Sequence, residues 1–324
     1  MPVMTYSEAG RQALAEEMRR DPRVWAVGED LGRGGVFGQY RGLVEEFGDR
    51  RISDAPISEA AIMGAAVGAA MTGTRPVAEL RFADFALCAV DELVNQAAKA
   101  RYMFGGQTTV PVVVRQPMGI WRSSAAQHSQ SLETWWTHIP GLVVATPATP
   151  ADNKGLLKSA IRADDPVVYM EHKGLWGLEG EVPEGDVVIP FGKARIERPG
   201  SDVTIVAWSA VVHAAAEAAE RLGDEGVSVE VIDLRTLWPW DKAAVLASVE
   251  KTGRLVVAHE SVAVAGFGAE VAATVSERLF GKLRAPVRRL GAPRAPISYA
   301  PPLEDEIRVT SDGIASAVRE LVTS

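Results

Sequence analysis

Short β-branched runs alternate with helix-patterned segments along almost the whole chain, which restricts it to a parallel α/β architecture. Strands are predicted at residues 24–28, 77–82, 110–115, 142–146 and 166–171. Runs such as VPVVVR and PVVYME are apolar on both faces, as buried parallel strands are. Helices are predicted at 5–21, 90–104 and 150–163, the first amphipathic with Ala9, Leu14 and Met18 inward. Residues 174–188 are Gly- and Glu-rich without periodicity and read as a linker. A second alternation follows, with strands at 202–208, 228–233, 254–259 and 287–290 and helices at 211–222, 241–251, 268–279 and 311–322. The 324 residues suffice for two such domains, divided near residues 185–195.

One stretch stands apart: residues 54–85, DAPISEAAIMGAAVGAAMTGTRPVAELRFADF. Ser58 is a good N-cap and Glu59 falls in the first turn of a helix whose body is otherwise apolar. Gly64, Ala65, Gly68 and Ala69 leave a face with little side chain, suited to an interface or to a buried helix. Gly73 ends the helix, and the strand after it delivers Phe85 into the following loop. Two readings of Glu59 stay open on pattern alone. It either meets a hydrogen-bonding or cationic ligand at a buried helix start, or it complements the helix dipole and reaches water.

With 42 acidic against 34 basic residues and the basic ones scattered, the chain does not resemble a nucleic-acid binder, and a basic protein module fits it better. Cys88 is the single cysteine, so no internal disulfide framework or cysteine-based zinc cluster can form, and FADFALCAV predicts it buried. No window approaches the roughly 18 apolar residues of a membrane span, and MPVMTYSEAGRQ has no basic-then-apolar signal region, so a cytoplasmic chain is expected. The glycines of LGRGGVFGQYRG follow a strand but miss the G-x-G-x-x-G spacing, leaving a flexible connector for which a functional role stays open. His128 lies among small polar residues in a loop of the kind where α/β sheets place their sites, and a generic surface histidine is the alternative. Glu304, Asp305 and Glu306 read as a solvated acidic loop, with partner docking as the alternative.

The segments ISEAAIMGAAVGAAMTGTRPVAEL, RFADF, VDELVNQAAKARYMFGG, AQHSQSL, HIPGL, LLKSAIRADDPVVYMEHK, EVIDLRT, TGRLVVAHE, GFGAEVAA and YAPPLED resemble, in this order, the β subunit of thiamine-diphosphate-dependent 2-oxo acid dehydrogenases. RYMFGG, AAQHSQSL, HIPGL and EHK look most like the acetoin dehydrogenase branch. The resemblance implies a pyrimidine-binding domain over residues 1–185 and a transketolase-like C-terminal domain over 186–324. It also implies an α2β2 heterotetramer, a 2-oxo acid (pyruvate or branched-chain) or acetoin as substrate, and transfer of the acyl fragment to a lipoyl-bearing E2. The chain contains no GDG motif, so the resemblance assigns the diphosphate and Mg2+ to the α subunit.

By the same resemblance Glu59 bonds the pyrimidine ring nitrogen and exchanges a proton with it, Phe85 packs on the ring, and Ile57 lines the pocket. His128 faces the substrate end and handles protons. A potassium ion is implied on the carbonyls of Val112, Ala160, Ile161, Ala163 and Asp165, although Ala163 stands where an acid is common. Two departures from the family pattern bear on substrate. Arg81 brings a charge toward the pyrimidine pocket, and residues 119–124 (GIWRSS) replace a glycine-rich run. The rivals are an acyloin-forming synthase subunit and a non-catalytic subunit that stabilises its partner.

Overall fold

The computed structural model describes residues 1–323, which form two compact units. The first comprises residues 1–118 and 135–191, and the second residues 119–134 together with 192 onward.

The first unit is built on a parallel sheet with strands in the order Val143–Ala145, Val167–His172, Val113–Met118, Arg75–Glu79, Val24–Gly28 and Ile52–Asp54. The strand expected at 110–115 starts later because Pro111 has no N–H to offer a ladder. Helices Tyr6–Arg20 and Pro150–Arg162 pack on one another across the core around Leu14, Met18, Leu156, Leu157 and Tyr169. Thr5 caps the first helix through a capping box with Glu8, and Thr149 caps the other. The segment read as a linker holds the strand Glu179–Glu181, which pairs antiparallel with Val3–Thr5.

Three expectations in this unit are corrected. Cys88 is exposed, because the tight turn Phe85–Ala89 buries Ala86 and Ala89 and faces Cys88 outward. The helix expected over 90–104 contains a π-helical stretch, Glu92–Ala97, before Ala98–Met103. There the Asp91 carboxylate accepts the side-chain amides of Asn95 and Gln96, tying the wider turn. The Gly-rich loop at 31–42 is packed, with Tyr40 fully buried and Gln39 nearly so.

The second unit carries a five-stranded sheet in the order Arg288–Ala292, Leu255–Val262, Val203–Ala207, Val229–Asp233 and Arg195–Arg198, parallel except for the last strand. That edge strand, RIER, has too little apolar patterning to be seen in sequence. Among the described residues no helix is long and apolar enough to cross a membrane.

Candidate functional site

Helix Glu59–Met71 carries no polar residue after Glu59, and a helix apolar all round is covered on all sides in its working state. This chain covers one face: Ile62, Met63, Ala66, Val67 and Ala70 are buried, whereas Ala61, Gly64, Ala65 and Gly68 are exposed. A Cβ on Gly68 would meet nothing within 4 Å. Glu59 itself is half-buried at the helix start, rather than enclosed, and Ile57 just before it is 76% exposed. The Ser58 side chain makes no capping hydrogen bond, contrary to its expected role. The helix packs on the turn Phe85–Ala89.

Phe85 is held by a run of rings. It meets Phe82 edge-on at 5.5 Å, Phe82 meets Phe37 at 6.2 Å, and Phe37 stacks on Trp176 at 5.2 Å. Phe37 comes from the Gly-rich loop, which therefore supports the Phe82–Phe85 turn. The charge of Arg81 is paired: its Nη1 lies 3.4 Å from Glu29 and 3.2 Å from Asp30, both just after the end of Val24–Gly28.

Beneath these strand ends lies a buried charge cluster that the sequence reading missed. Arg115 donates twice to Glu171, Nε to Oε2 and Nη2 to Oε1, each at 2.7 Å, and lies 3.6 Å from Glu79. Glu79 also accepts from Tyr40 Oη at 2.8 Å and from Gln39 Nε2 at 3.3 Å. Gly28 permits this, since a Cβ there would sit 2.8 Å from the Glu79 Cβ and carbonyl oxygen. One guanidinium faces two carboxylates, and burial pushes the Glu79 carboxyl up from 4.5 to about 7 against the pull of Arg115.

The stability consequence has a definite sign. The folded chain holds the Glu79 proton where the unfolded chain has lost it. The contribution is complete below about pH 4.5 and disappears as pH rises through about 7. Glu79→Gln is expected to flatten the fall in urea-unfolding free energy between those two pH values. Two parallel stability curves would exclude the assignment.

His128 belongs to the second unit, on the 119–134 excursion, whereas Ile57, Glu59, Arg81 and Phe85 all belong to the first. It is half-buried, and its backbone N–H donates to Ala125 at 3.4 Å. The five residues assigned to potassium lie in the first unit. Arg75 Nη1 already donates to the Ile161 carbonyl at 3.1 Å and the Ala163 carbonyl at 2.8 Å, and the Val112 carbonyl accepts the Val167 N–H at 2.9 Å.

A parallel domain with a helix that opens on a carboxylate and packs on the Phe85–Ala89 turn, followed by a second α/β domain, is matched by two families. Residues 3–177 match the transketolase pyrimidine-binding domain and residues 192–314 the transketolase C-terminal domain. A solved split-gene transketolase, an inactive β4 tetramer, shares the fold with a TM-score of 0.81 at 24% identity, covering 99% of this chain and 98% of that one.

Nearer relatives are β subunits. The 2-oxoisovalerate dehydrogenase subunit beta of Bacillus subtilis is 45% identical over 324 residues, covering 99% of both chains. The acetoin:2,6-dichlorophenolindophenol oxidoreductase subunit beta of Cupriavidus necator is 48% identical, covering 95% of this chain and 94% of the relative. The pyruvate dehydrogenase E1 component subunit beta of Rhizobium meliloti is 45% identical over 94% of this chain and 66% of its own length. The chain belongs to this transketolase-like family of E1 β subunits, which depends on thiamine diphosphate.

Proposed function

We propose that this chain is the β subunit of a cytoplasmic thiamine-diphosphate-dependent E1 enzyme that cleaves a 2-oxo acid or acetoin and passes the acyl fragment to the lipoyl group of an E2 protein. The observation that carries the reading is the half-covered helix Glu59–Met71: a carboxylate at its start, the Phe85 turn against it, and an apolar face left open. A partner that covers that face also completes the pocket around the exposed Ile57. This favours an α subunit in an α2β2 assembly.

The residues suit an aminopyrimidine, because a flat heterocycle takes an aromatic platform and its ring nitrogen takes a carboxylic acid. When bound, thiamine diphosphate supplies the carbanion-stabilising centre that cleavage next to a carbonyl requires. Glu59 holds and returns the proton at the pyrimidine nitrogen, Phe85 fixes the plane of the ring, and Ile57 keeps water away. Arg81, paired with both Glu29 and Asp30, brings no net positive charge to the pocket edge. His128 gives and takes protons at the substrate oxygen. The diphosphate and Mg2+ fall to the α subunit.

The donor set fits potassium poorly. An ion on Val112, Ala160, Ile161, Ala163 and Asp165 would share two carbonyls with the Arg75 guanidinium, so the cationic role there goes to Arg75. Exchanging potassium for sodium is accordingly expected to leave the melting temperature and the activity unchanged; loss of either would restore the ion to the site.

Co-expression with an α partner and reduction of an artificial acceptor, with pyruvate, branched-chain 2-oxo acids and acetoin each supplied in turn, tests the whole reading. Thiamine-dependent turnover of one of them is expected. Carboligation without lipoyl-dependent product would point instead to an acyloin-forming synthase, and turnover by the α partner alone would make this chain a stabilising subunit.

A further inference from the structure

The loop that carries His128 is held by the C-terminal unit through more than packing. Ile120 sits in a small apolar cluster with Ala292, Ile297 and Ile307. Its N–H donates to Glu260 Oε1 at 2.9 Å, and the same oxygen accepts Ser131 Oγ at 2.7 Å. One carboxylate oxygen thus joins residues on either side of His128. Near the apex, the Ser123 N–H donates to Glu304 Oε2 at 2.7 Å, and Arg308 bonds the other Glu304 oxygen while donating to the Ile120 carbonyl at 3.3 Å.

Glu304 is therefore buried, at 3% exposure, and is not the solvated or docking acid its sequence context suggested. Glu133, at the end of the loop, accepts Trp208 Nε1 at 3.0 Å, and Thr134 accepts the Phe267 N–H at 3.1 Å.

The backbone between these anchors is strained. Arg122, Ser123 and Ala125 have φ of 45°, 55° and 59°, a region that residues with a Cβ adopt at a cost, and such strain persists only where the surroundings over-determine it. A cavity of about 430 Å³ lies between the loop and the second unit's sheet end, lined by Ala126, Gln130, Ser131 and Glu260 among others, so the loop has room to relax if released.

We propose that Glu260 is the positioning residue of the His128 loop, the acceptor that locks its two arms against each other so that His128 is presented in one place. The proposal rests on the assignment of His128 to proton handling. It does not make Glu260 a catalytic residue, since Glu260 acts through the loop. The geometry also says what substitution preserves the lock. Both donors use one oxygen, so a glutamine carbonyl can accept both, whereas leucine can accept neither.

The test uses the α-complemented holoenzyme. In Glu260→Leu, amide hydrogen exchange in the peptide spanning 119–134 is expected to rise about tenfold through loss of the two hydrogen bonds, while the peptide spanning 59–71 is unchanged. The kcat is expected to fall about a hundredfold, with the KM for thiamine diphosphate unmoved. Glu260→Gln should match the unaltered enzyme in both readouts. Should the leucine variant fail to assemble, Ser131→Ala removes one donor and should shift exchange and kcat in the same direction by a smaller factor.

Unchanged exchange in Glu260→Leu, a loosened loop with full kcat, or a glutamine variant as damaged as the leucine one would each overturn the proposal. His128→Ala run alongside keeps the two claims apart. Full kcat in that variant removes the role of His128, whereas an unaltered exchange pattern in Glu260→Leu removes the lock alone.

Discussion

Glu59→Gln is expected to cost the assembled enzyme about a hundredfold to ten-thousandfold in kcat while the chain folds and pairs with its α partner as before. The expectation follows from where the carboxylate stands. Glu59 opens the helix Glu59–Met71, is half-buried, and forms no ion pair among the described residues. Its amide counterpart has the same shape and can still accept a hydrogen bond, so what disappears is the capacity to release and recover a proton. The structural loss is confined to the favourable interaction of a negative charge with the helix N-terminus, about 0.3–1 kcal/mol. Activity and stability should therefore separate cleanly. Steady-state turnover, the melting temperature and the mass of the assembly measured on one preparation decide the matter. Turnover close to that of the unaltered enzyme would end the assignment of Glu59, and loss of turnover through failed assembly would return it to a purely structural first-turn acid.

The two α/β units were legible because burial on both faces leaves a local mark: VPVVVR and PVVYME are continuous apolar runs, and most observed strands and helices lie within a few residues of the predicted ones. The helix at 59–71 was legible as apolar and small-faced, but which face this chain leaves open depends on packing against residues 85–97, and no local pattern encodes that.

The same limit explains Tyr40, Glu79, Arg115 and Glu171. Each looks ordinary in its own segment, and they become a buried network only when strands distant in sequence come side by side. Glu304 was misread for the opposite reason. An acidic triplet is usually solvated, and here one member turns inward to meet Ser123, 181 positions away in the chain. Residues whose role is set by their own neighbours in sequence were readable; residues whose role is set by a partner across the fold were not.

That long-range network carries the largest expected effect on stability. Arg115 and Glu171 are both at 0% exposure, and their two parallel bonds satisfy a charge that has no access to water. In Arg115→Met the Asn153 side-chain amide still donates to Glu171 at 3.2 Å, but it cannot neutralise the charge. Breaking a buried pair from one side costs about 3–5 kcal/mol, and the urea-unfolding midpoint at pH 7 should fall accordingly. Adding Glu171→Leu to the same chain discriminates between charge and shape. If the unpaired carboxylate is the cause, the double variant recovers most of the lost stability, because apolar residues in place of a whole buried pair are tolerated. If a poorly filled space is the cause, the second substitution adds to the first. The outcome also bears on function, because Glu79 ends the strand that leads into the Arg81–Phe85 turn and Arg115 lies on the strand that leads into the His128 loop. A single variant within about 1 kcal/mol of the unaltered protein would mean that the network neither stabilises the sheet nor fixes those two strands.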